Sequence, residues 1–148
     1  MEIGVYNAVN AMSMVKSAIK HNPARQIEYY GFDFFYNYST EQIGKKLEAL
    51  GCQYYLIKGN TLTTVPKAAK SLPMMDIIFI DGGKSYREAY SDWEGSSMLM
   101  HESTGLFVHN ADFSGVEKMI DEIPRDRYGI ETFYPHSEGK VALIELNS

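Results

Sequence analysis

The stretch from Asp76 to Tyr86, DIIFIDGGKSY, decides the fold class of this 148-residue chain. Its apolar run from Ile77 to Ile80 predicts a buried strand, which ends at the carboxylate of Asp81. Two glycines then allow a tight turn, and Ser85 begins a segment with helical spacing. Strand, glycine turn and capped helix in this order are typical of an open α/β sheet, whose ligands bind beyond the carboxyl ends of the strands. We therefore expect Asp81 and Lys84 to lie at a ligand-binding edge.

The rest of the chain alternates apolar runs with helical patterns, which predicts a sheet with helices on both faces. The other predicted strands are Ile3–Tyr6, Ile27–Phe32, Tyr54–Ile57, Leu106–His109, Ile130–Tyr134 and Val141–Leu146. The last two have no helix between them, so one must run antiparallel, with a turn near Ser137–Gly139. We predict a single α/β domain over residues 1–148, with a seven-strand, mostly parallel, doubly wound sheet and a C-terminal antiparallel hairpin.

Several residues mark the predicted helices. Capping boxes are expected at Ser39 with Gln42, Ser85 with Glu88, and Ser114 with Glu117. A shorter helix is predicted over Val65–Ser71, with Pro66 tolerated in its first turn.

Composition limits the classes of function. The net charge of −5 offers no basic face for nucleic acid, and no apolar stretch is long enough to span a membrane. The single cysteine, Cys52, excludes an internal disulfide and is interpreted as a small core residue in a reducing compartment. We expect a cytoplasmic protein that binds neither nucleic acid nor a membrane.

Five short motifs, in order along nearly the whole chain, resemble those of class I S-adenosylmethionine-dependent methyltransferases. The resemblance is closest to the small-molecule group whose fourth strand ends in Asp-Gly-(Gly/Asp)-His-Ser-Tyr. The matching segments are Glu2–Tyr6, Tyr30–Asp33, Lys58–Thr61, Asp76–Tyr86 followed by Asp92-Trp93, and Thr104–Asn110. The resemblance implies a Rossmann-like fold, S-adenosylmethionine as cofactor, and methyl transfer to an oxygen or nitrogen of a small-molecule acceptor.

The resemblance also implies a cofactor site at the strand ends, beginning with the turn after the first strand. That turn supplies Glu2, Gly4, Val5 and Tyr6, with Glu2 and Gly4 beside the methionine part of the cofactor. Glu2 is alternatively a solvated acid at the chain end. Alanine stands at Ala8, where the family keeps a second glycine, and it adopts a positive φ only at a steric cost.

The later strand ends would hold the adenosine part. A carboxylate at Asp33 can accept hydrogen bonds from both ribose hydroxyls, and Phe34 is one of four aromatic residues that could cover the adenine. Asn60 stands where the family has an acid that meets the adenine amine. For Asp33 and Asn60 a simple turn role is the alternative. The remaining residues of the implied cofactor set are Gly59, Thr61, Asp81 and Gly82.

Asp81, Lys84 and His109 are the catalytic candidates. Lys84 could deprotonate a substrate hydroxyl if burial lowered its pKa, and it is alternatively a solvated turn lysine. A hydrogen-bonded role at the strand end is favoured for His109. A related metal-dependent group carries acids here, so a divalent metal on Asp81 and Asn110 is possible. It is not favoured, because a carboxylate, an amide and an imidazole suit Mg²⁺ poorly.

Two other functions stay open. A non-catalytic methyltransferase-like binding module is favoured by the departures at Ala8, Lys84 and Asn110. A nicotinamide dehydrogenase is less consistent, because Gly4 is not followed by the Gly-x-Gly-x-x-Gly spacing. Since Met1 stands almost within the first strand, we expect a minimal form or a fragment without the usual N-terminal helices, whose site a dimer mate could close.

Overall fold

The computed structural model of the chain describes residues 1–135 and 139–147. Within those residues, the strands are β1 (Glu2–Ile3), β2 (Glu28–Asp33), β3 (Gln53–Lys58), β4 (Met75–Ile80), β5 (Met100–His109), β6 (Tyr128–Phe133) and β7 (Val141–Leu146). The α-helices are α1 (Val9–Ile19), α2 (Thr40–Glu48), α3 (Thr61–Ala68), α4 (Tyr86–Ser97) and α5 (Ser114–Asp121). A short 3₁₀ helix, Ala24–Gln26, precedes β2.

The strands form one sheet in the order β3-β2-β1-β4-β5-β7-β6. Strands β1 to β5 pair in parallel, and β7 runs antiparallel to both β5 and β6. The predicted Rossmann-like, mostly parallel sheet with a C-terminal antiparallel hairpin is therefore confirmed. The order of the strands reverses at β1, which lies between β2 and β4, and such a switch point opens a crevice at the carboxyl ends of the strands.

Two apolar clusters hold helices on opposite faces of the sheet. On one face, residues of α3, α4 and α5 such as Val65, Trp93 and Met119 are buried with Phe32 and Ile78 of the strands. On the other face, residues of α1 and α2 pack with β2 and with the predicted core residue Cys52. Among the described residues, this second cluster contains none from β4, β5 or β7, so α1 and α2 lie over the β3-β2-β1 half of that face.

Several predicted boundaries move for local reasons. Strand β1 ends at Ile3 rather than Tyr6, because Gly4 adopts a φ of 85° and turns the chain. Helix α3 begins at Thr61, four residues before the predicted start, because the Asn60 side chain accepts a hydrogen bond from Leu62 N and caps it. The capping box predicted at Ser114 is wrong: Phe113 is the N-cap and no side chain caps α5.

Two of the three predicted capping boxes, those at Ser39 and Ser85, are confirmed. The turn predicted near Ser137–Gly139 lies mostly outside the described residues. Among the residues that are described, no helix has the length and apolar character needed to cross a membrane.

Candidate active site

The turn after β1 brings Gly4 against the end of β4. Gly4 N donates to Phe32 O and Asp81 N donates to Ile3 O, both at 2.8 Å, so the two turns are held side by side. A Cβ atom on Gly4 would lie only 2.2 Å from the carbonyl oxygen of Asp81. Because glycine alone tolerates both this contact and the positive φ, Gly4 fixes the position of Asp81. Ala8 also takes a positive φ, 63°, at the N-cap of α1.

Asp33, at the end of β2, anchors the same turn through its carboxylate. Its Oδ2 atom accepts from Val5 N at 2.8 Å and Tyr6 N at 2.9 Å, and its Oδ1 atom accepts from Phe35 N at 2.8 Å. A carboxylate offers about four acceptor sites. Three are already in use, so only one of the two predicted ribose hydrogen bonds can form without displacing a backbone donor. The ribose role of Asp33 stays a prediction.

The turn after β3 places its three predicted residues at the same edge of the sheet. Gly59 has a φ of 147°, and Gly59 N donates to Asp33 O at 3.0 Å. Asn60 Oδ1 caps α3, as described above, so its oxygen has one acceptor site left for an adenine amine. Thr61 opens α3 and is half-buried.

The carboxyl group of Glu2 is buried rather than exposed to solvent. Its side chain is 1% exposed; Oε1 accepts from Asn10 Nδ2 at 2.9 Å, and Oε2 accepts from the Tyr29 hydroxyl. Burial raises the pKa of Glu2 to about 7, although the hydrogen bonds from Tyr29 and Asn10 oppose the shift. The alternative of a solvated acid is wrong. Each oxygen accepts only one hydrogen bond, but the side chain is buried, so a cofactor could contact it only if the covering residues moved; that contact stays a prediction.

The burial of Glu2 predicts a pH-dependent stability. The folded state holds this proton more tightly than the unfolded state, so the stabilisation is present below the ordinary pKa of 4.5 and is lost as the pH rises towards 7. Glu2→Gln cannot ionise and should not show this loss. We expect the free energy of unfolding of Glu2→Gln, relative to the parent, to rise by about 2–3 kcal/mol between pH 4.5 and pH 8.

Urea denaturation at a series of pH values measures this difference. The matched control is Glu117→Gln, which removes an exposed acid in α5. An equal pH response in the parent and in Glu2→Gln would contradict the assignment.

The catalytic candidates meet at the ends of β4 and β5. Asp81 Oδ1 lies 2.5 Å from Lys84 Nζ and 3.0 Å from His109 Nδ1. All three side chains are partly exposed, between 19% and 35%, so the cluster is accessible from solvent. The alternative of a purely solvated Lys84 is wrong, since its ammonium group is paired with Asp81. The hydrogen-bonded role favoured for His109 is found.

The same cluster was the predicted position for a possible divalent metal on Asp81 and Asn110. Among residues 1–135 and 139–147, no three His, Cys, Asp or Glu side chains come close enough to hold an ion. The Asp81 oxygen that would be a ligand already accepts from a cation, and the other donors would be an imidazole and an amide. This donor set does not fit Mg²⁺, which prefers several oxygen ligands.

An apolar surface extends from the cluster across β4, β5 and β7, on the face of the sheet that carries α1 and α2. In register on neighbouring strands, Phe79 of β4 stands beside Phe107 of β5, which stands beside Leu143 of β7. Alternation along the strands places these side chains on the same face as Asp81 and His109. The Phe79 ring centroid lies 6.2 Å from that of His109. The polar cluster and the aromatic rings therefore share one face of the sheet.

Sequence reasoning missed Gly115 altogether, and it quoted Asp92 only as part of a family motif without assigning it a role. Gly115 in α5 packs against the β4–α4 turn so closely that a Cβ atom would lie 2.4 Å from Lys84 O. Asp92 in α4 is fully buried, and among the described residues neither of its carboxylate oxygens has a hydrogen-bond partner. Burial raises the pKa of Asp92 to about 7, against the opposing effect of the Thr61 hydroxyl. A buried acid behind a predicted ligand site is a recognisable signal, but only once burial is known.

Two cavities differ in size and in position. A cavity of about 180 Å³ at the carboxyl ends of the strands is lined by residues 33–38 together with Tyr6. A larger one, about 530 Å³, opens at the opposite edge between Met1, Met14, Tyr30 and Ile77. Of the predicted site residues, Tyr6, Asp33 and Phe34 line the smaller cavity, which opens at the same edge as the strand switch point, whereas none of them lines the larger one.

Comparison with known proteins identifies the fold. No family model matches the sequence, and no curated protein matches it. Among solved structures, the chain is similar to CalS11, a TDP-rhamnose 3'-O-methyltransferase of calicheamicin biosynthesis, with a TM-score of 0.79, 17% identity, and coverage of 100% of this chain and 71% of that chain.

Two ligand-bound structures are similar as well. TomG from Streptomyces achromogenes, an O-methyltransferase of tomaymycin synthesis in complex with S-adenosylmethionine, gives a TM-score of 0.77 at 12% identity over 99% of this chain and 72% of that one. The S-adenosylhomocysteine-bound methyltransferase PaMTH1 from Podospora anserina gives 0.71 at 15% identity over 99% and 70%. The resemblance predicted from sequence is thus confirmed for the fold: the chain has the Rossmann-like methyltransferase fold.

Proposed function

We propose that this protein transfers a methyl group from S-adenosylmethionine to an oxygen or nitrogen of a small-molecule acceptor. The observation that carries the proposal is the cluster of Asp81, Lys84 and His109 at the carboxyl edge of this fold. Similar folds solved with S-adenosylmethionine or S-adenosylhomocysteine support the choice of cofactor. Bound S-adenosylmethionine would supply an electrophilic methyl group, and the protein would supply orientation and a proton acceptor.

The cofactor would lie across the turns that follow β1 to β4. Asp33 has one acceptor site left for a ribose hydroxyl, and Asn60 Oδ1 has one for the adenine amine. Phe34 is 40% exposed beside the small cavity, where its ring could cover the adenine. The Cβ positions of Gly4 and Gly82 face Asp81 and Asp92, so these glycines would serve the cofactor site by letting its turns pack closely. The backbone of Val5 and Tyr6 would line the methionine side of the turn.

The acceptor would lie over Phe79 and Phe107, with its nucleophile at the polar cluster. We assign proton acceptance to the His109–Asp81 pair, in which Asp81 orients the imidazole through Nδ1. The paired ammonium group of Lys84 would then hold Asp81 in place rather than act as the base. An acceptor with an aromatic or apolar part fits this apolar surface.

The remaining expectations belong to the same proposal. The net charge of −5 supports a small-molecule acceptor rather than a nucleic acid. A cytoplasmic location is supported by the single buried cysteine. A homodimer is supported by the apolar residues left uncovered on the β4-β5-β7 face, of which Ile77 is 44% exposed.

One observation favours the second candidate, a non-catalytic binding module of the same fold. Three backbone N–H groups occupy the Asp33 carboxylate, so the turn is already satisfied without a cofactor. If these three hydrogen bonds persist when the cofactor approaches, the affinity for the cofactor will be low.

Titration calorimetry with S-adenosylhomocysteine separates the two functions. The methyltransferase predicts a Kd below about 100 µM, whereas no heat at millimolar ligand would favour the module. The Asp33→Ala variant is the matched comparison and should lose binding. Transfer of label from [methyl-³H]S-adenosylmethionine to a panel of phenols and amines then tests turnover.

A further inference from the structure

The buried acid Asp92 has a position that its own helix does not explain. Helix α4 needs no polar residue on its inner face, where its neighbours Ala89 and Trp93 are apolar and buried. Asp92 is 0% exposed, and so is Ser96, one turn further along the same face. Among the described residues, the two carboxylate oxygens and the Ser96 hydroxyl have no hydrogen-bond partner.

The carboxyl group lies between two turns of the proposed cofactor site. One is the β4–α4 turn: a Cβ atom on Gly82 would lie 2.5 Å from Asp92 Oδ2. The other is the start of α3, where the Thr61 hydroxyl is near enough to favour the charged carboxylate without reaching hydrogen-bonding geometry. Two charged groups act on it: Glu88 disfavours the charged carboxylate and Lys84 favours it.

The burial of the Asp92 carboxyl group lowers stability unless another interaction offsets its free-energy cost. Burying a carboxyl group without hydrogen bonds costs free energy, and an apolar residue of similar size would pack here without that cost. A residue that lowers stability in this way is typical of sites where structure serves binding.

We propose that Asp92 is a positioning residue: its carboxyl group, packed directly on Gly82 and beside the Thr61 hydroxyl, links the β4–α4 turn to the start of α3. The link fixes the distance between the two turns that would hold the adenosine half of the cofactor. Asp92 itself touches neither cofactor nor acceptor. The inference rests on the proposed function for its ligand, although the link can also be tested without one.

The test replaces Asp92 in two ways. Asp92→Leu removes the hydrogen-bonding groups, so we expect the melting temperature to stay equal or rise while the Kd for S-adenosylhomocysteine increases at least ~10-fold. Asp92→Asn keeps two hydrogen-bonding atoms, and its Kd should remain within about threefold of the parent. A purely structural residue would instead lower stability and affinity together. The control is Glu94→Leu, which replaces an exposed acid of the same helix and should change neither quantity.

Amide hydrogen exchange gives a readout that needs no ligand. Asp92→Leu should accelerate exchange in residues 82–84 and 61–63 by at least ~5-fold, and Asp92→Asn should restore the parent rates. If the parent fails to bind S-adenosylhomocysteine, the proposed function fails, and exchange alone decides the role of Asp92. Parent-like exchange and parent-like affinity in Asp92→Leu would overturn the inference. If Asp92→Leu does not fold, Asp92→Asn with parent-like stability but a tenfold weaker Kd would overturn it as well.

Discussion

Gly4→Ala is expected to lower the free energy of unfolding by more than ~3 kcal/mol. The cause is twofold. Alanine at a φ of 85° is strained, and its Cβ atom would lie 2.2 Å from the Asp81 carbonyl oxygen. Neither backbone can retreat freely, since Gly4 N and Asp81 N each donate a 2.8 Å hydrogen bond to a neighbouring strand. Urea denaturation followed by circular dichroism measures the loss.

Gly51→Ala is the matched control for this prediction. Gly51 also has a positive φ, 74°, but its Cβ atom would meet only Ala24 Cβ at 3.6 Å. That variant carries the backbone strain alone, about 1–2 kcal/mol. The difference between the two variants therefore reports the contact with Asp81. Equal losses would contradict the close approach of the two turns.

Asp81→Asn is expected to reduce methyl transfer at least ~100-fold while leaving S-adenosylhomocysteine binding within about threefold of the parent. The carboxylate holds both Lys84 at 2.5 Å and His109 at 3.0 Å, and an amide cannot offset the ammonium charge. The experiment measures transfer of label from [methyl-³H]S-adenosylmethionine to the best acceptor of the phenol and amine panel.

The chain offers a matched Asp–His pair at the other end of the same two strands. Asp76 Oδ1 lies 3.2 Å from His101 Nε2, and the Asp76 side chain is 96% exposed. Asp76→Asn should retain parent activity. Undiminished transfer by Asp81→Asn, or an equal loss in Asp76→Asn, would remove the cluster from the mechanism.

The cluster could be predicted from sequence because its parts are short-range or at strand ends. Asp81 and Lys84 are three residues apart across a glycine turn, and His109 ends the neighbouring parallel strand, so topology alone brings them together. Apolar periodicity likewise gave the sheet and its terminal hairpin. The Gly4 turn was recognisable from motif resemblance, although its contact with Asp81 was not.

Other features depend on contacts that no local pattern reveals. The burial of Glu2 requires Tyr29, which is 27 residues away, and the three backbone donors on Asp33 come from two separate turns. Asp92 was quoted from sequence only as part of a family motif, and its burial became known only from the packing of its helix. Pro66 predicts a first turn near Val65, whereas the Asn60 cap begins α3 at Thr61, because proline is tolerated further into this helix.

A crystal structure of the protein with S-adenosylhomocysteine tests the central claim most directly. We expect the ligand at the carboxyl edge of the sheet, with its ribose on Asp33, its adenine between Phe34 and the Asn60 turn, and its sulfur facing the Asp81–His109 pair. Ligand bound instead in the 530 Å³ cavity beside Met14 and Tyr30, or no bound ligand at millimolar concentration, would contradict the account.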